Sequence, residues 1–215
     1  MKFVKQEVRK LLQHFHYDIV HLNKDTKLSE NVIKAPALVQ KSLKATKINY
    51  GCGSKLMKNW LNVDIQVENK KDYLTTCVDL RGIHPFRNNQ FTYGYAEDFL
   101  EHLTQSDQIL FLQEVYRTFK KNGVLRLSFP GLEGILNEHY EAGYYTDPLI
   151  AKQNAYVQWK HEHYPCKAEL RMICKKIGFQ RITFVTYGKS SFKDLRGIDT
   201  RYLQKSINIY VEIVK

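Results

Sequence analysis

Hydrophobic and polar positions follow two periods along this chain. Short apolar or alternating runs near residues 47–50, 61–65, 74–78, 91–95, 123–129, 180–187 and 206–214 read as seven β-strands. Between them, helical spacing predicts helices near 55–60, 97–103, 105–120, 131–139, 148–160 and 167–177. Regular alternation of the two argues for an α/β domain with a mostly parallel sheet and helices on both faces. Asn122-Gly123 is a turn signal before the alternating Val124-Leu-Arg-Leu-Ser-Phe129, and Gly178 is placed to close the helix at 167–177. The last two runs, joined by residues 188–205, predict an antiparallel hairpin.

Ahead of the first strand, Phe3, Val4, Val8, Leu11, Leu12, Phe15 and Ile19 recur at helical spacing with Lys5, Arg9 and Lys10 between them. This predicts an amphipathic N-terminal helix and a polar connector over residues 1–45, packed on a domain spanning 46–215. The long segment 131–165, between the fifth strand and the final helix, is the expected place for substrate recognition.

Composition narrows the classes. At 215 residues the chain suits one α/β domain, and 43% hydrophobic with 26% charged residues is a globular balance. No run approaches the roughly 18 apolar residues that span a bilayer, and the N-terminus lacks the features of a secretory signal. The four cysteines, Cys52, Cys77, Cys166 and Cys174, form no C-x-x-C pair, which suits reduced thiols and a cytoplasmic location. The net charge of +11 admits an anionic partner. The Lys and Arg residues are scattered, however, and no arginine-rich tract stands out, so only weak, non-specific nucleic-acid binding is expected.

Candidate chemistry begins at Lys47-Ile-Asn-Tyr-Gly-Cys-Gly-Ser54. Here a strand runs into a turn whose glycines leave no side chain between backbone and ligand. A second strand, Leu61-Asn-Val-Asp64, ends in a carboxylate suited to accept hydrogen bonds from both hydroxyls of a ribose. Tyr50-Gly-Cys-Gly-Ser-Lys55 with Asn62-Val-Asp-Ile65 resembles the first two motifs of class I S-adenosylmethionine-dependent methyltransferases. The resemblance continues through Val78-Asp-Leu80, Tyr93-Gly-Tyr-Ala-Glu-Asp-Phe-Leu-Glu-His-Leu103 and Phe119–Pro130. It implies a Rossmann-like, seven-stranded, mostly parallel sheet with an antiparallel last strand, and S-adenosylmethionine as methyl donor. The missing third glycine argues against NAD, because S-adenosylmethionine has no pyrophosphate to hold. On this resemblance the cofactor residues are Tyr50, Gly51, Cys52, Gly53, Asp64, Asp79, Leu80 and Glu97. Asp79 would accept from the adenine amine, and Leu80 would pack on the ring.

Asp98, Glu101 and His102 fall at i, i+3 and i+4, one face of a helix opening after the fourth strand. The pattern resembles the E-x-x-E-H of ubiquinone-biosynthesis O-methyltransferases and small-RNA 2′-O-methyltransferases, where a divalent ion also takes a downstream histidine. His163, in His161-Glu-His163, stands in about the corresponding place. The group Asp98, Glu101, His102 and His163 reads either as a divalent-metal site or as acid/base residues, with Glu101, His102 and His163 catalytic. The alternative is plain helix capping and packing. Tyrosines, 14 in all, cluster in the insertion (Tyr140, Tyr144, Tyr145, Tyr156, Tyr164) and suit a polar acceptor such as a sugar or nucleoside. The stretch from Tyr187 to Lys215 resembles bacterial methyltransferases associated with surface-polysaccharide synthesis. These features together predict methylation, most simply O-methylation, of a small-molecule or saccharide acceptor. An RNA methyltransferase and a non-catalytic partner protein of the same fold are the alternatives, and the sequence leaves the oligomeric state open.

Overall fold

From Gly123 onward, strand β5 (Phe119–Pro130) is buried along its whole length, as a run rich in Val, Leu and Phe requires at the centre of a sheet. The other strands are β1 (Lys47–Tyr50), β2 (Leu61–Asp64), β3 (Leu74–Cys77), β4 (Phe91–Glu97), β6 (Arg181–Val185) and β7 (Asn208–Val214). They form one sheet in the order β3-β2-β1-β4-β5-β7-β6. The first five pair in parallel, and β7 runs antiparallel to both β5 and β6. Among the described residues the α-helices are α1 (Gln105–Thr118), α2 (Leu132–Tyr140) and α3 (Lys167–Ile177), and the segment expected as a helix over 148–160 shows a π-helical turn at Gln153–Val157. The seven-stranded α/β sheet, its antiparallel hairpin and the αL glycine at Gly178 (φ 116°) agree with the sequence reading.

This computed structural model describes residues 44–140 and 153–215, all within the unit Ala37–Lys215. The helix expected at residues 3–20, Tyr144, Tyr145 and the 141–152 part of the insertion lie outside the described residues, as does the side chain of Tyr140. None of the described helices is long and apolar enough to cross a membrane.

The two faces of the sheet are covered differently. Phe111, Leu112 and Val115 of α1 and Leu170 and Cys174 of α3 pack on Ile48, Tyr50, Leu125, Leu127 and Val211. On the opposite face Trp60, Tyr95, Val124 and Val214 pack against Leu195. Leu195 belongs to the β6–β7 connection, residues 186–207, so this connection acts as a strap across that face. Its anchor is Arg126 of β5, which is fully buried. The guanidinium donates from Nε to Asp199 Oδ1 (2.9 Å), from Nη2 to Asp199 Oδ2, and from Nη1 to Glu212 Oε1 (3.3 Å) and the Lys189 carbonyl (2.9 Å). Burying a charge is tolerable when it is paired and hydrogen-bonded this fully.

Two local expectations are corrected. No helix forms at 55–60. A parallel crossover normally takes a dozen or more residues and a helix, and here residues 51–60 must make it alone. Two buried asparagines replace the helix. Asn62 Oδ1 accepts from Met57 N (2.7 Å) and Asn49 Nδ2 (3.0 Å), while Asn62 Nδ2 donates to the carbonyls of Met57, Trp60 and Leu74 at 3.0–3.1 Å. Asn49 Nδ2 also donates to the Lys55 carbonyl at 2.9 Å. The helix expected at 97–103 reduces to a 3₁₀ turn, Leu100–His102. Asp98 stands outside it at φ 49°, so the i, i+3, i+4 face does not exist. Within the turn Glu101 is buried and His102 exposed.

Replacing Asn62 by Leu keeps the volume but orphans several backbone groups. A loss of about 2–4 kcal/mol is expected, read as a melting temperature lower by on the order of 5–10 °C in circular dichroism. A change within a degree or two would show that the asparagines do not hold the crossover.

Candidate active site

In an open α/β sheet, ligands bind where strand order reverses, outside the carboxyl ends of the strands. Here that point lies between β1 and β4. A cavity of about 260 Å³ opens there, lined by Asn49, Gly51–Lys55, Met57, Tyr95, Glu97, Asp98, Ile198, Thr200 and Arg201. Gly51 has φ 57°, and a Cβ there would stand 2.3 Å from Phe99 Cδ2, so only glycine fits. Gly53 has φ 49° but open space around it, so its backbone conformation alone calls for glycine. The turn is braced from behind. Asp64 accepts from Gly53 N (2.8 Å) and Ile65 N (2.7 Å), and Cys52 N donates to the Val63 carbonyl (3.1 Å).

Glu97 is the polar hub of the cavity. Its carboxylate accepts from Lys55 Nζ (3.1 Å), Thr200 N (2.8 Å), Arg201 N (3.3 Å) and the Thr200 hydroxyl. Burial pushes its pKa up, but the bonds from Thr200 and Lys55 outweigh burial and hold it below the usual glutamate value. Asp98 pairs with Arg201, Nε to Oδ2 at 2.5 Å. In this case burial wins and the carboxyl is raised.

Of the cofactor residues expected from sequence, Gly51, Cys52, Gly53 and Glu97 line the cavity, and Asp64 braces it. Tyr50, Leu80 and Asp79 do not line it. Tyr50 is fully buried in the core, edge-on to Phe111 with ring centroids 5.1 Å apart, and Leu80 joins the same core. Asp79 is exposed and held by Arg81 through Nε (2.9 Å) and Nη2 (2.7 Å), which pulls its pKa down to about 2. Lys55, Tyr95, Ile198, Thr200 and Arg201 escaped the sequence reading. Only Lys55 had a signal, because it directly follows the glycine turn.

The second cluster forms with a different histidine. Glu101, His102 and His161 each offer a ligand atom, and these atoms lie within 4.8 Å of one another. His163 is directed elsewhere: its Nε2 sits 3.0 Å from both carboxylate oxygens of Glu169. Asp98 is taken by Arg201. His161 packs edge-on to His102 with ring centroids 4.8 Å apart, while Glu169 holds His163 away from the turn. The segment carrying both histidines is docked by Glu162 N and His163 N, which donate to the Glu101 carbonyl at 2.8 and 3.3 Å. Tyr164 donates its hydroxyl to the Ala155 carbonyl, so His161 Nδ1 donates to Tyr164 and Nε2 keeps a lone pair. Burial, then the neighbouring His102, lowers the His161 pKa to about 4. Burial, with Asp98 and Glu97 adding to it, raises Glu101 well above the usual value. Glu101 Oε2 has no hydrogen-bond partner among the described residues.

No family model matches this chain, and no curated protein matches it significantly. Solved structures do match. One from Thermotoga maritima, described as an S-adenosylmethionine-dependent methyltransferase and possible histamine N-methyltransferase, gives a TM-score of 0.55 at 16% identity, over 100% of this chain and 97% of that one. An S-adenosylmethionine-dependent methyltransferase from Mesorhizobium loti gives 0.51 at 13% identity, over 86% and 100%. The fold is that of S-adenosylmethionine-dependent methyltransferases. Phosphoethanolamine N-methyltransferase 2 of Haemonchus contortus, solved with S-adenosyl-L-methionine, gives 0.51 at 15% identity. The match takes in 79% of this chain and 48% of that longer one. In this methyltransferase fold the cavity beside the glycine turn sits at the switch point.

The two shifted groups act on stability in opposite directions. Raised in the folded state, neutral Glu101 contributes stability that is present at low pH and lost as pH climbs through its folded value. Depressed in the folded state, His161 contributes stability that is complete above its ordinary value of 6.5 and lost as pH falls toward about 4. Denaturant melts from pH 4 to 9 should therefore show Glu101→Gln flattening the alkaline side of the profile and His161→Gln flattening the acid side. An alkaline side unchanged by Glu101→Gln would contradict a buried neutral carboxyl.

Proposed function

We propose that the protein is an S-adenosylmethionine-dependent methyltransferase acting on a small-molecule or saccharide hydroxyl. The observation that carries this reading is the cavity at the β1/β4 switch point, with its glycine turn hooked to the carboxylate of Asp64. Methyl transfer asks little beyond alignment, since the sulfonium is an activated donor and holding a nucleophile in line supplies much of the rate. In this reading the Gly51–Gly53 turn admits the donor closely, Asp64 serves the ribose as well as the turn it braces, and Glu97 keeps the cavity wall in position.

A hydroxyl acceptor must also lose its proton. Glu101, His102 and His161 are the groups available for that, in place of the set containing His163. A divalent ion among them would have to displace the proton that burial keeps on Glu101. Metal ligands must be a carboxylate and neutral imidazoles. His161 is already neutral, and the unpartnered Glu101 Oε2 bears a burial cost that a cation would offset. One oxygen and two imidazole nitrogens suit a hard-to-borderline ion such as Mn²⁺ or Zn²⁺. Such an ion would supply Lewis-acid lowering of the acceptor hydroxyl's pKa. Without it, His102 and His161 are the candidate proton acceptors. The scattered basic charge keeps an RNA acceptor as the second reading.

Calorimetry is expected to show S-adenosylhomocysteine binding in the micromolar range and no NADH binding. Asp64→Ala should cost about 1–3 kcal/mol of that affinity through lost charge-assisted bonds. NADH binding, or no binding of either, would overturn the assignment.

The metal reading has its own readout. Mn²⁺ or Zn²⁺ should raise the melting temperature of the wild-type protein and leave Glu101→Gln and His161→Gln unmoved. An equal shift in all three, or none in the wild type, would reduce the cluster to packing.

A further inference from the structure

The strap borders a second cavity, of about 680 Å³, which shares no lining residue with the one at the switch point. Its floor belongs to the sheet edge. β6 pairs antiparallel with β7, with Arg181 opposite Val214 and Thr183 opposite Glu212. Alternation along β6 puts Arg181, Thr183 and Val185 on one side of the strand and Ile182 and Phe184 on the other. Ile182 and Phe184 pack against the core that includes Leu170 and Cys174 of α3. The other side is left for the strap, which packs down at Leu195 onto Val124 and Val214. Beside β6 the strap residues Lys189–Phe192 and Arg196 form the opposite wall of the cavity. The volume lies within the roughly 300–1,000 Å³ usual for small-ligand sites.

Charge says what such a ligand carries. Arg181, Lys189 and Arg196 line the cavity against a single carboxylate, Glu212. Glu212 is only 3% exposed and accepts from Arg126, so it is already neutralised from inside the sheet. The three cations are left without a counter-charge on the wall, and an anion bound there relieves their mutual repulsion. Arg196 is held ready for one: its Nε donates to the Ser190 carbonyl at 3.2 Å, which leaves the two Nη groups as a fork. Ser190 Oγ accepts from Phe192 N at 2.9 Å and keeps its own proton to donate. Val185, Phe192 and Val214 make the rest of the wall apolar. Three cations and a hydroxyl suit the several acceptor oxygens and near-double charge of a phosphate monoester. The apolar part suits an organic body attached to it. Cations gathered round one cavity, and not strung along a stripe, favour a single phosphate over a nucleic-acid backbone.

We propose that this cavity is a second ligand site, for a small organic phosphate ester, with Arg181, Lys189 and Arg196 on the phosphate oxygens and Val185, Phe192 and Val214 against the organic body. The site is independent of the methyl-donor assignment.

The test uses phenyl phosphate as the probe, titrated by calorimetry into wild type, Arg181→Gln, Lys189→Gln, Arg196→Gln and Lys71→Gln. The first three residues are exposed, so the ligand-free variants should melt within about a degree of wild type. Lys71 is an exposed lysine just before β3, at the opposite edge of the sheet, and controls for charge in general. Wild type should bind phenyl phosphate with a dissociation constant on the order of 0.1 mM, inorganic phosphate more weakly, and phenol not at all. Each of the three cavity variants should weaken phenyl phosphate about fivefold or more, and Lys71→Gln should leave it unchanged. Saturating S-adenosylhomocysteine should leave phenyl phosphate binding unchanged as well. No binding of phenyl phosphate by wild type overturns the proposal, as does an equal loss in Lys71→Gln, which would mean diffuse surface charge. Competition with S-adenosylhomocysteine also overturns it, by moving the anion to Lys55 and Arg201 in the other cavity. If a twelve-nucleotide single-stranded RNA displaces phenyl phosphate and binds more tightly through the same three residues, the site belongs to a nucleic-acid backbone and the proposal fails.

Discussion

The carboxylate of Glu97 joins two parts of the chain that are far apart in sequence. It accepts from Lys55, just after the first strand, and from the backbone and side chain at Thr200 and Arg201, just before the last. A parallel sheet leaves its carboxyl edge open wherever strand order reverses, and this carboxylate, together with the direct bond from Lys55 Nζ to the Thr200 hydroxyl (2.7 Å), ties the β1 turn to the strap there. Burial alone pushes the Glu97 carboxyl upward. Four donors keep it charged, and the charge in turn keeps them in place. The cavity wall is thus an electrostatic structure as much as a packed one.

Behind that hub, two buried polar groups replace the helices usually expected in such a fold. Asn49 and Asn62 satisfy the crossover between β1 and β2, where ten residues leave no room for a packed helix. Arg126, paired with Asp199 and Glu212, ties the strap onto the face carrying Trp60, Tyr95 and Val124. Both devices are costly in isolation and are made tolerable by the hydrogen bonds that the two asparagine amides and the guanidinium make. They also place side chains. The asparagines set the path of the glycine turn, and the arginine sets Thr200 and Arg201 above it.

Glu101 follows the opposite logic. Its carboxyl is as buried as Arg126, but one oxygen has no partner among the described residues, and two imidazoles lie beside it. A group left in that condition is a candidate for proton or cation handling, because stability alone would favour a partner or an apolar residue. The electroneutral His161 and the raised Glu101 form a pair whose protonation states a cation would lock.

Local chemistry determined the strands, the αL glycine at Gly178, the helix at Gln105–Thr118, and the positions of Gly51, Gly53 and Asp64. Each of these depends on period, turn residues or the end of a strand, which neighbours in sequence specify. Tertiary structure decided the rest. Asp98 left its expected helix face because its backbone took a left-handed conformation, and His161 took the place expected of His163 because Glu169, in the following helix, engages His163. Thr200 and Arg201 reached the cavity through a strap whose course is set by Arg126 and Asp199, 73 residues apart. No local pattern encodes a pairing at that separation. It exists only once the sheet has brought β5 under the connection that follows β6.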